Sequence, residues 1–354
     1  MDLQQRINAF AKLGKFLGQF TSEEANKKKD IFQNEEYFDK MLHQLELAKS
    51  HNGWFTEENL YFTCKSWSEA LSIANLNTWV SKYDIPDISP KTIAVIMAGN
   101  IPLVGFHDFL SVLITGNKVL AKLSSHDKQL LPFLSQYLVA VEPDFKNYIS
   151  FTEERLKDFD AVIATGSNNT ARYFNYYFGK HPNIIRKNRN SVAVLTGNEK
   201  EDHMNALADD IFRYFGLGCR NVSKIYIPEE YNFDLFFNGI YSWKHIINNA
   251  KYINNYDYNK AVYLMGNEKL LDNEFMLLKE EKNGFSSPIA VVFYEVYSDL
   301  EALKNKLSQE TENIQVVIGN AGIENEIPFG KAQTPQLWDY ADGIDTVDFL
   351  LKIS

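Results

Sequence analysis

The residue of this sequence best suited to covalent chemistry is Cys219, set in FGLGCRNVSKIYIPEE, residues 215–230. A cysteine attacks as its thiolate, so it needs partial exposure and a positive or dipolar setting that lowers its pKa. Gly216 and Gly218 permit a tight backbone approach and Arg220 adds a cation, although one cysteine beside glycines equally fits a buried structural thiol. Asn100 ends an apolar run in AGNIPLVGF. Its amide can donate to a developing oxyanion or simply cap the next helix. In ATGSNNTARYF, Thr165, Gly166 and Ser167 join a strand pattern to a helix pattern. Free N–H groups and the helix dipole there suit a pyrophosphate, while a plain serine-capped turn needs the same residues. Lys122, in VLAKL, can reach a ribose or phosphate oxygen or snorkel to water.

The elements that must position these residues are readable from periodicity. KTIAVIMAGN, NKVLAKLSS, DAVIATGS and NSVAVLTGN are short, almost wholly apolar runs separated by helical patterns. Such alternation predicts a parallel sheet covered on both faces, a doubly wound α/β fold. Ligands of that fold sit beyond the carboxyl ends of the strands, and Asn100, Lys122 and Thr165 to Ser167 all fall at such ends. No GxGxxG fingerprint is present. Further on, KEDHMNALADDIFRYF reads as a helix leading into the Cys219 turn and the strand VSKIYIP. AVYLMG, PIAVVFYEV and IQVVIGN read as buried strands, with EALKNKLSQET a helix between the last two. DTVDFLLKIS alternates like an edge strand able to pair with another sheet.

The first 88 residues are helical in pattern: an amphipathic start, NEEYFDKMLHQLELAKSH, and SWSEALSIANLNTWVSKY with Ser66 or Ser68 as its N-cap. DIPDISPK follows as a linker. The expected organisation is therefore a helical segment 1–88 packing on a cofactor domain 89–194, a catalytic domain 195–330 with the cysteine, and a C-terminal return 331–354.

Composition narrows the function classes. A net charge of −10 over 354 residues argues against nucleic acid as the main partner. No apolar run reaches the ~18 residues of a membrane span, and the N-terminus lacks a signal-peptide pattern. Two cysteines, Cys64 and Cys219, cannot build a disulfide framework, which points to the reducing cytoplasm. Seven scattered histidines without HExxH or CxxC predict no metal site.

Taken together, the order and contexts of these motifs resemble the aldehyde dehydrogenase superfamily over residues 90–354. Its Asn-x-Pro segment corresponds to Asn100-Ile101-Pro102, and its Gly-Asn before a lysine-bearing strand to Gly116-Asn117 and VLAKLSS. Its Thr-Gly-Ser turn corresponds to Thr165 to Ser167, its nucleophile turn to GLGC before a strand, and a later Pro-strand-helix segment to PIAVVFYEVYSDLEAL. The resemblance implies a nicotinamide cofactor held by Lys122, Ser124, Ser125, Thr165, Gly166 and Ser167, and a homo-oligomer whose last strand, residues 345–354, pairs across subunits.

Departures from the superfamily pattern indicate which branch. Aldehyde-oxidising members carry a Glu-Leu-Gly-Gly segment whose Glu activates water; here IIRKNRNSVAVL puts Arg186 in that register. An arginine cannot take a proton at neutral pH. The chain accordingly resembles the acyl-CoA reductase branch, which includes the fatty-acid reductase of bacterial luminescence, in AGNIPLVG, RKNRNS and YADGIDTVDFL. That implies reduction of a fatty acyl-CoA through a Cys219 thioester, with CoA leaving, Asn100 stabilising the oxyanion and a partner enzyme handling acyl groups. Ser125, where NAD-preferring members carry Glu, leaves room for a 2′-phosphate and favours NADPH over NADH. The Glu that usually contacts the nicotinamide ribose is replaced by the stretch from Gly284 to Ser287. Residues 161–198 hold five cations and no carboxylate, so Lys180, Arg186, Lys187 and Arg189 are candidate phosphate contacts, or else belong to a solvated loop. Two alternatives stay open: a non-acylating aldehyde dehydrogenase, or a cofactor-binding scaffold with degenerate chemistry.

Overall fold

Four helices lead the chain in the computed structural model, whose described residues are 1–86 and 89–353. α1 (Leu3–Leu17) opens with a reciprocal cap between Asp2 and Gln5 and fully buries Phe10, Leu13, Phe16 and Leu17. Each such side chain contributes about 1.5–3 kcal/mol of burial. α2 (Asn34–His51), α3 (Glu57–Ala70) and α4 (Ile73–Val80) follow. The stretch expected as one helix capped by Ser66 or Ser68 is split instead. Thr56 caps α3, Ser72 caps α4, and Cys64 lies inside α3. The expected linker, 84–91, includes two positions outside the described residues.

The chain forms two compact units, Met1–Lys187 with Gln336–Ser354, and Asn188–Pro335. In the first, β1 (Thr92–Ile96), α5 (Phe106–Ile114), β2 (Lys118–Lys122), α6 (Leu130–Val141), β3 (Ile149–Phe151), β4 (Ala161–Thr165), α7 (Asn168–Phe178) and β5 (Asn183–Arg186) succeed one another. Their sheet is wholly parallel, ordered β3-β2-β1-β4-β5. Strand order reverses direction at β1, which pairs with β2 on one side and β4 on the other. The expected doubly wound sheet is thus present, and its switch point lies between β1 and β4.

The second unit holds β6 (Asn190–Val194), α8 (Glu201–Phe212), β7 (Val222–Pro228), α9 (Phe233–Ile240), α10 (Ala250–Met265), β8 (Leu270–Asp272), β9 (Leu277–Glu280), β10 (Val291–Tyr297), α11 (Leu300–Gln309) and β11 (Ile314–Gly319). Its six strands run in the order β11-β6-β7-β10-β9-β8, with only β8 antiparallel to its neighbour. NSVAVL, expected as a fourth strand of the first sheet, therefore belongs to this one. AVYLMG is not a strand but the last turns of α10. Asn249 caps that helix, which buries Tyr252, Tyr256 and Asn259 on one face and leaves Val262, Leu264 and Met265 exposed.

The C-terminal return also departs from expectation. Residues 346–352 form α12 (Thr346–Lys352), not an edge strand, and Ser354 lies outside the described residues. The Asp345 carboxylate caps the helix by accepting the Asp348 N–H at 2.9 Å. Val347 and Leu350, three apart on one face, enter the core of the first unit. Tyr83 donates to Asp345 at 2.6 Å, and the Trp79 indole N–H donates to Tyr340 at 2.6 Å, fastening the return to α4 and the loop after it. Among the described residues no helix is long and apolar enough to cross a membrane.

Candidate active site

The parallel register sets the first group of candidates at one edge of the first sheet. Ile96 pairs with Lys122 on one side and Ala164 on the other, and Thr165 pairs with Arg186. The loop with Asn100 leaves β1, Lys122 ends β2, and Thr165 to Ser167 leave β4, all at the carboxyl ends. Asn100 is exposed and does not cap α5, whose N-cap is Gly105.

The Asn100 loop is fixed on both flanks. A Cβ on Gly99 would lie 2.6 Å from the Ser124 hydroxyl and 3.2 Å from the Asp127 nitrogen, so glycine is needed for that approach. Leu103 takes a left-handed φ of 57° and donates its N–H to Asp127 Oδ2 at 2.8 Å. Asp127 is buried; desolvation pushes its carboxyl up to about 6, with the Leu103 N–H pulling the other way. Its position in a polar loop gave no signal in the sequence beyond that of a turn residue.

Lys122 Nζ donates to the Glu154 carbonyl at 2.9 Å. Ser124 accepts the His126 N–H, and the exposed Ser125 offers its carbonyl to the His51 ring at 2.9 Å. Ser167 caps α7, accepting the Thr170 N–H at 3.2 Å, and no acidic residue occupies the first turn. At Gly166 a Cβ would meet Thr170 and Phe174 at 3.0 Å. The capped turn and the helix N-terminus thus coexist.

The basic segment is not one field. Arg186 is buried in an ion pair with Asp108 of α5 and donates to the Thr346 hydroxyl at 3.0 Å. Its strand position turns the guanidinium into the core, so it is no phosphate contact. Arg189, in the second unit, donates to the Thr311 carbonyl at 2.7 Å. Lys180 and Lys187 are exposed.

In the second unit, Cys219 is partly exposed whereas Cys64 of the first is buried, its thiol pushed up to about 12 by desolvation. A thiol held so high is inert at neutral pH. Between α8 and Cys219 the chain reverses through Tyr214, Phe215 and Gly216 at φ 54°, 59° and 74°, left-handed values that cost strain at the two aromatic positions. Asn221, 2% exposed, holds this turn. Its Oδ1 accepts the Gly218 N–H at 2.8 Å, while Nδ2 donates to the carbonyls of Asp210 at 3.0 Å and Arg213 at 2.8 Å. One amide therefore caps the end of α8 and anchors the residue before the cysteine. The Ser191 hydroxyl donates to the Cys219 carbonyl at 2.9 Å. Asp210, fully buried, accepts the N–H groups of Gly330 at 2.6 Å and Ala332 at 3.0 Å, and desolvation pushes it up to about 7. Sequence reasoning missed Asn221; an asparagine at the mouth of an apolar strand, where that residue is disfavoured, was the available signal. The stretch from Gly284 to Ser287 is the loop between β9 and β10, in which the Ser287 hydroxyl donates to the Val291 carbonyl at 2.6 Å.

Known structures share this architecture. Aldehyde dehydrogenase 21 from Physcomitrella patens, solved with its product succinate, superposes with a TM-score of 0.66 at 15% identity, over 100% of this chain and 84% of that one. The aldehyde dehydrogenase KauB from Pseudomonas aeruginosa gives 0.63 at 11% identity over 90% and 72%. An indole-3-acetaldehyde dehydrogenase complexed with NAD+ gives 0.59 at 12% over 89% and 72%. At these identities the likeness establishes the aldehyde dehydrogenase fold. No curated protein matches the sequence. A family model for acyl-CoA reductases (LuxC) matches residues 1–235, a span that contains Asn100, Lys122, the Thr165 turn and Cys219. With two thirds of its length matched and the fold agreeing, the chain belongs to the acyl-CoA reductase (LuxC) family.

Proposed function

We propose that this reductase converts a fatty acyl-CoA to its aldehyde through an acyl group carried on Cys219. The observation that carries the reading is the contrast between the two thiols: one buried and inert, the other partly exposed on a strained, amide-anchored turn. The Cys219 thiolate attacks the thioester carbonyl, the carbon–sulfur bond to CoA breaks, and CoA leaves as a thiolate that takes a proton. The Cys219 backbone N–H is a donor for the oxyanion. After reduction of the enzyme thioester, the thiohemiacetal breaks its carbon–sulfur bond, releasing aldehyde and restoring the thiolate.

The residues at the first sheet's switch point fit a nicotinamide dinucleotide. α7 presents an N-terminus free of acidic residues in its first turn, Gly166 lets the backbone come close, and Lys122 stands at a strand end. When bound, that cofactor supplies the hydride. Lys122, Ser124, Ser125, Thr165, Gly166 and Ser167 are the residues assigned to hold it. Ser125 is small, uncharged and exposed, which favours NADPH. Lys180 and Lys187 remain the candidate phosphate contacts of the basic segment. Arg186, neutralised against Asp108, offers no base at its position, which supports thiol exchange over hydrolysis of the acyl-enzyme. Self-association, in the cytoplasm, is part of the same reading; exposed Tyr258, Val262, Leu264 and Met265 on α10 support it. So is an acyl-transferring partner enzyme.

Intact-protein mass spectrometry after incubation with acyl-CoAs of several chain lengths tests the nucleophile and substrate class together. The acyl mass should appear on the native protein and vanish in Cys219→Ala. Acylation of that variant, or its retained reductase activity, would refute the mechanism.

A further inference from the structure

We infer that Ser191 is a positioning residue for the Cys219 thiol: its hydroxyl fixes the peptide plane that follows the nucleophile. The inference rests on the reading of Cys219 as the acyl carrier and uses the second unit alone. Peptide groups are planar, so a residue keeps only its two backbone torsions as soft degrees of freedom. At Cys219 the plane on each side is held. The Asn221 N–H donates to the Gly218 carbonyl at 3.1 Å, which fixes the plane that also bears the Cys219 N–H. The Ser191 hydroxyl donates to the Cys219 carbonyl at 2.9 Å, which fixes the plane running on to Arg220. With both planes held, the backbone sets the direction in which the Cα–Cβ bond carries the sulfur. The first clamp is local to the turn. The second comes from a neighbouring strand, 28 residues away in the chain.

The packing of β6 does not call for a hydroxyl at this position. The strand reads NSVAV, and Ser191, Val192, Ala193 and Val194 are all fully buried. Parallel strands covered on both faces are apolar nearly throughout. A hydroxyl buried among them costs free energy unless it is bonded, and alanine, with the same Cβ, carries no such cost. The bond that Ser191 makes goes to the nucleophile. The ladder is also irregular at this point. Ser191 pairs with Val222 whereas Val192 pairs with Lys224, so Ser223 is an extra residue in β7. Such bulges re-aim side chains and recur beside active sites. Ser223 supplies a matched control. It is 8% exposed, and its hydroxyl donates to the carbonyl of Phe285 and, at 3.4 Å, to that of Ser191.

The test compares Ser191→Ala with Ser223→Ala in two reactions of Cys219. One is acylation, followed by intact mass, with whichever acyl-CoA from octanoyl to hexadecanoyl marks the native protein fastest. The other is alkylation by iodoacetamide, which is small and free to approach from any side, so it needs the thiolate but no fixed aim. Ser191→Ala should acylate about 10- to 100-fold more slowly, since a misplacement of about 1 Å can cost on the order of 10²-fold. Its alkylation should keep the native rate and pH profile. Ser223→Ala also loses a buried hydroxyl bond and should melt a comparable few degrees lower, yet it should acylate at the native rate. Ser191→Thr and Ser191→Val are alike in shape and differ in the hydroxyl. Ser191→Thr should acylate about tenfold faster than Ser191→Val, so the inference stays testable should Ser191→Ala not fold. Native acylation by Ser191→Ala would overturn the inference. So would equal slowing of acylation and alkylation, equal slowing in Ser191→Ala and Ser223→Ala, or equal rates in Ser191→Thr and Ser191→Val. An acyl mass retained in Cys219→Ala would instead remove the reading of Cys219, and the inference with it.

Discussion

Asn221→Ala should disorder the Cys219 turn and destabilise the second unit together. The side chain is 2% exposed and satisfies groups on both of its ends. Removing it strands the Gly218 N–H, at about 1–3 kcal/mol for a buried unsatisfied group, and frees the Asp210 and Arg213 carbonyls, each hydrogen bond contributing about 0.5–1.5 kcal/mol. A loss of about 3 kcal/mol follows, large against total stabilities of about 5–15 kcal/mol. At roughly 2–4 °C per kcal/mol for a unit of this size, the melting transition should fall by roughly 6–12 °C. Asn221→Asp separates the two ends of the side chain. It keeps an acceptor for Gly218 but faces the helix-end carbonyls with another acceptor, so it should be at least as damaging as alanine. Differential scanning calorimetry gives the stability, and the rate of Cys219 acylation by mass spectrometry reports the turn. Native melting and native acylation in Asn221→Ala would refute the reasoning; so would an Asn221→Asp protein more stable than Asn221→Ala.

Arg186→Met should lower the stability of the first unit by about 3–5 kcal/mol by leaving Asp108 buried and unpaired, with KM for CoA thioester and cofactor unchanged; a rise in either KM without a stability loss would restore Arg186 to the phosphate contacts. Asp210 carries a pH dependence. Its folded-state pKa, about 7, lies above the ordinary 3.8, so the folded state binds the proton more tightly. The resulting stabilisation is complete below the unfolded value and is lost as pH rises through about 7. The second unit's melting temperature should therefore decline between pH 5 and 8, and Asp210→Asn should flatten that slope; an unchanged slope counts against the assignment. Ser125→Glu should raise KM for NADPH well above that for NADH, read from steady-state kinetics with each cofactor, and equal changes would remove Ser125 from the ribose site.

What could be read from sequence follows from where the determining physics resides. β1, β2, β4, β7, β10 and β11 were legible because buried parallel strands are apolar nearly throughout, and the glycines beside Asn100 and Cys219 mark turns by themselves. Periodicity over six residues does not separate a strand from a helix end, which is why AVYLMG misread. Its helix was decided by the Asn249 cap and by Tyr252 and Tyr256 upstream. Residues 345–354 misread for the same reason, with Asp345 and the core contacts of Val347 and Leu350 deciding. Arg186 ends β5, a strand with no expectation in the sequence, and the inward turn of its side chain depends on Asp108, far away in sequence. Asp127 works through a backbone N–H that no sequence pattern exposes, and Asn221 through backbone groups that its place at the mouth of a strand does not identify.

The two-segment composition of the first unit has a consequence for synthesis on the ribosome. Its helices and sheet emerge early, yet Leu337, Val347 and Leu350 of its core, and the Tyr340 hydroxyl and Asp345 carboxylate that accept from Trp79 and Tyr83, emerge only after the whole second unit. Domains tend to fold as they appear. The second unit can therefore complete itself as a continuous stretch while the first waits, its α4 and α5 surfaces still open to chaperones, until the segment from Gln336 onward closes it. A nascent chain stalled before α12 should accordingly carry a protease-resistant second unit and a protease-sensitive first one.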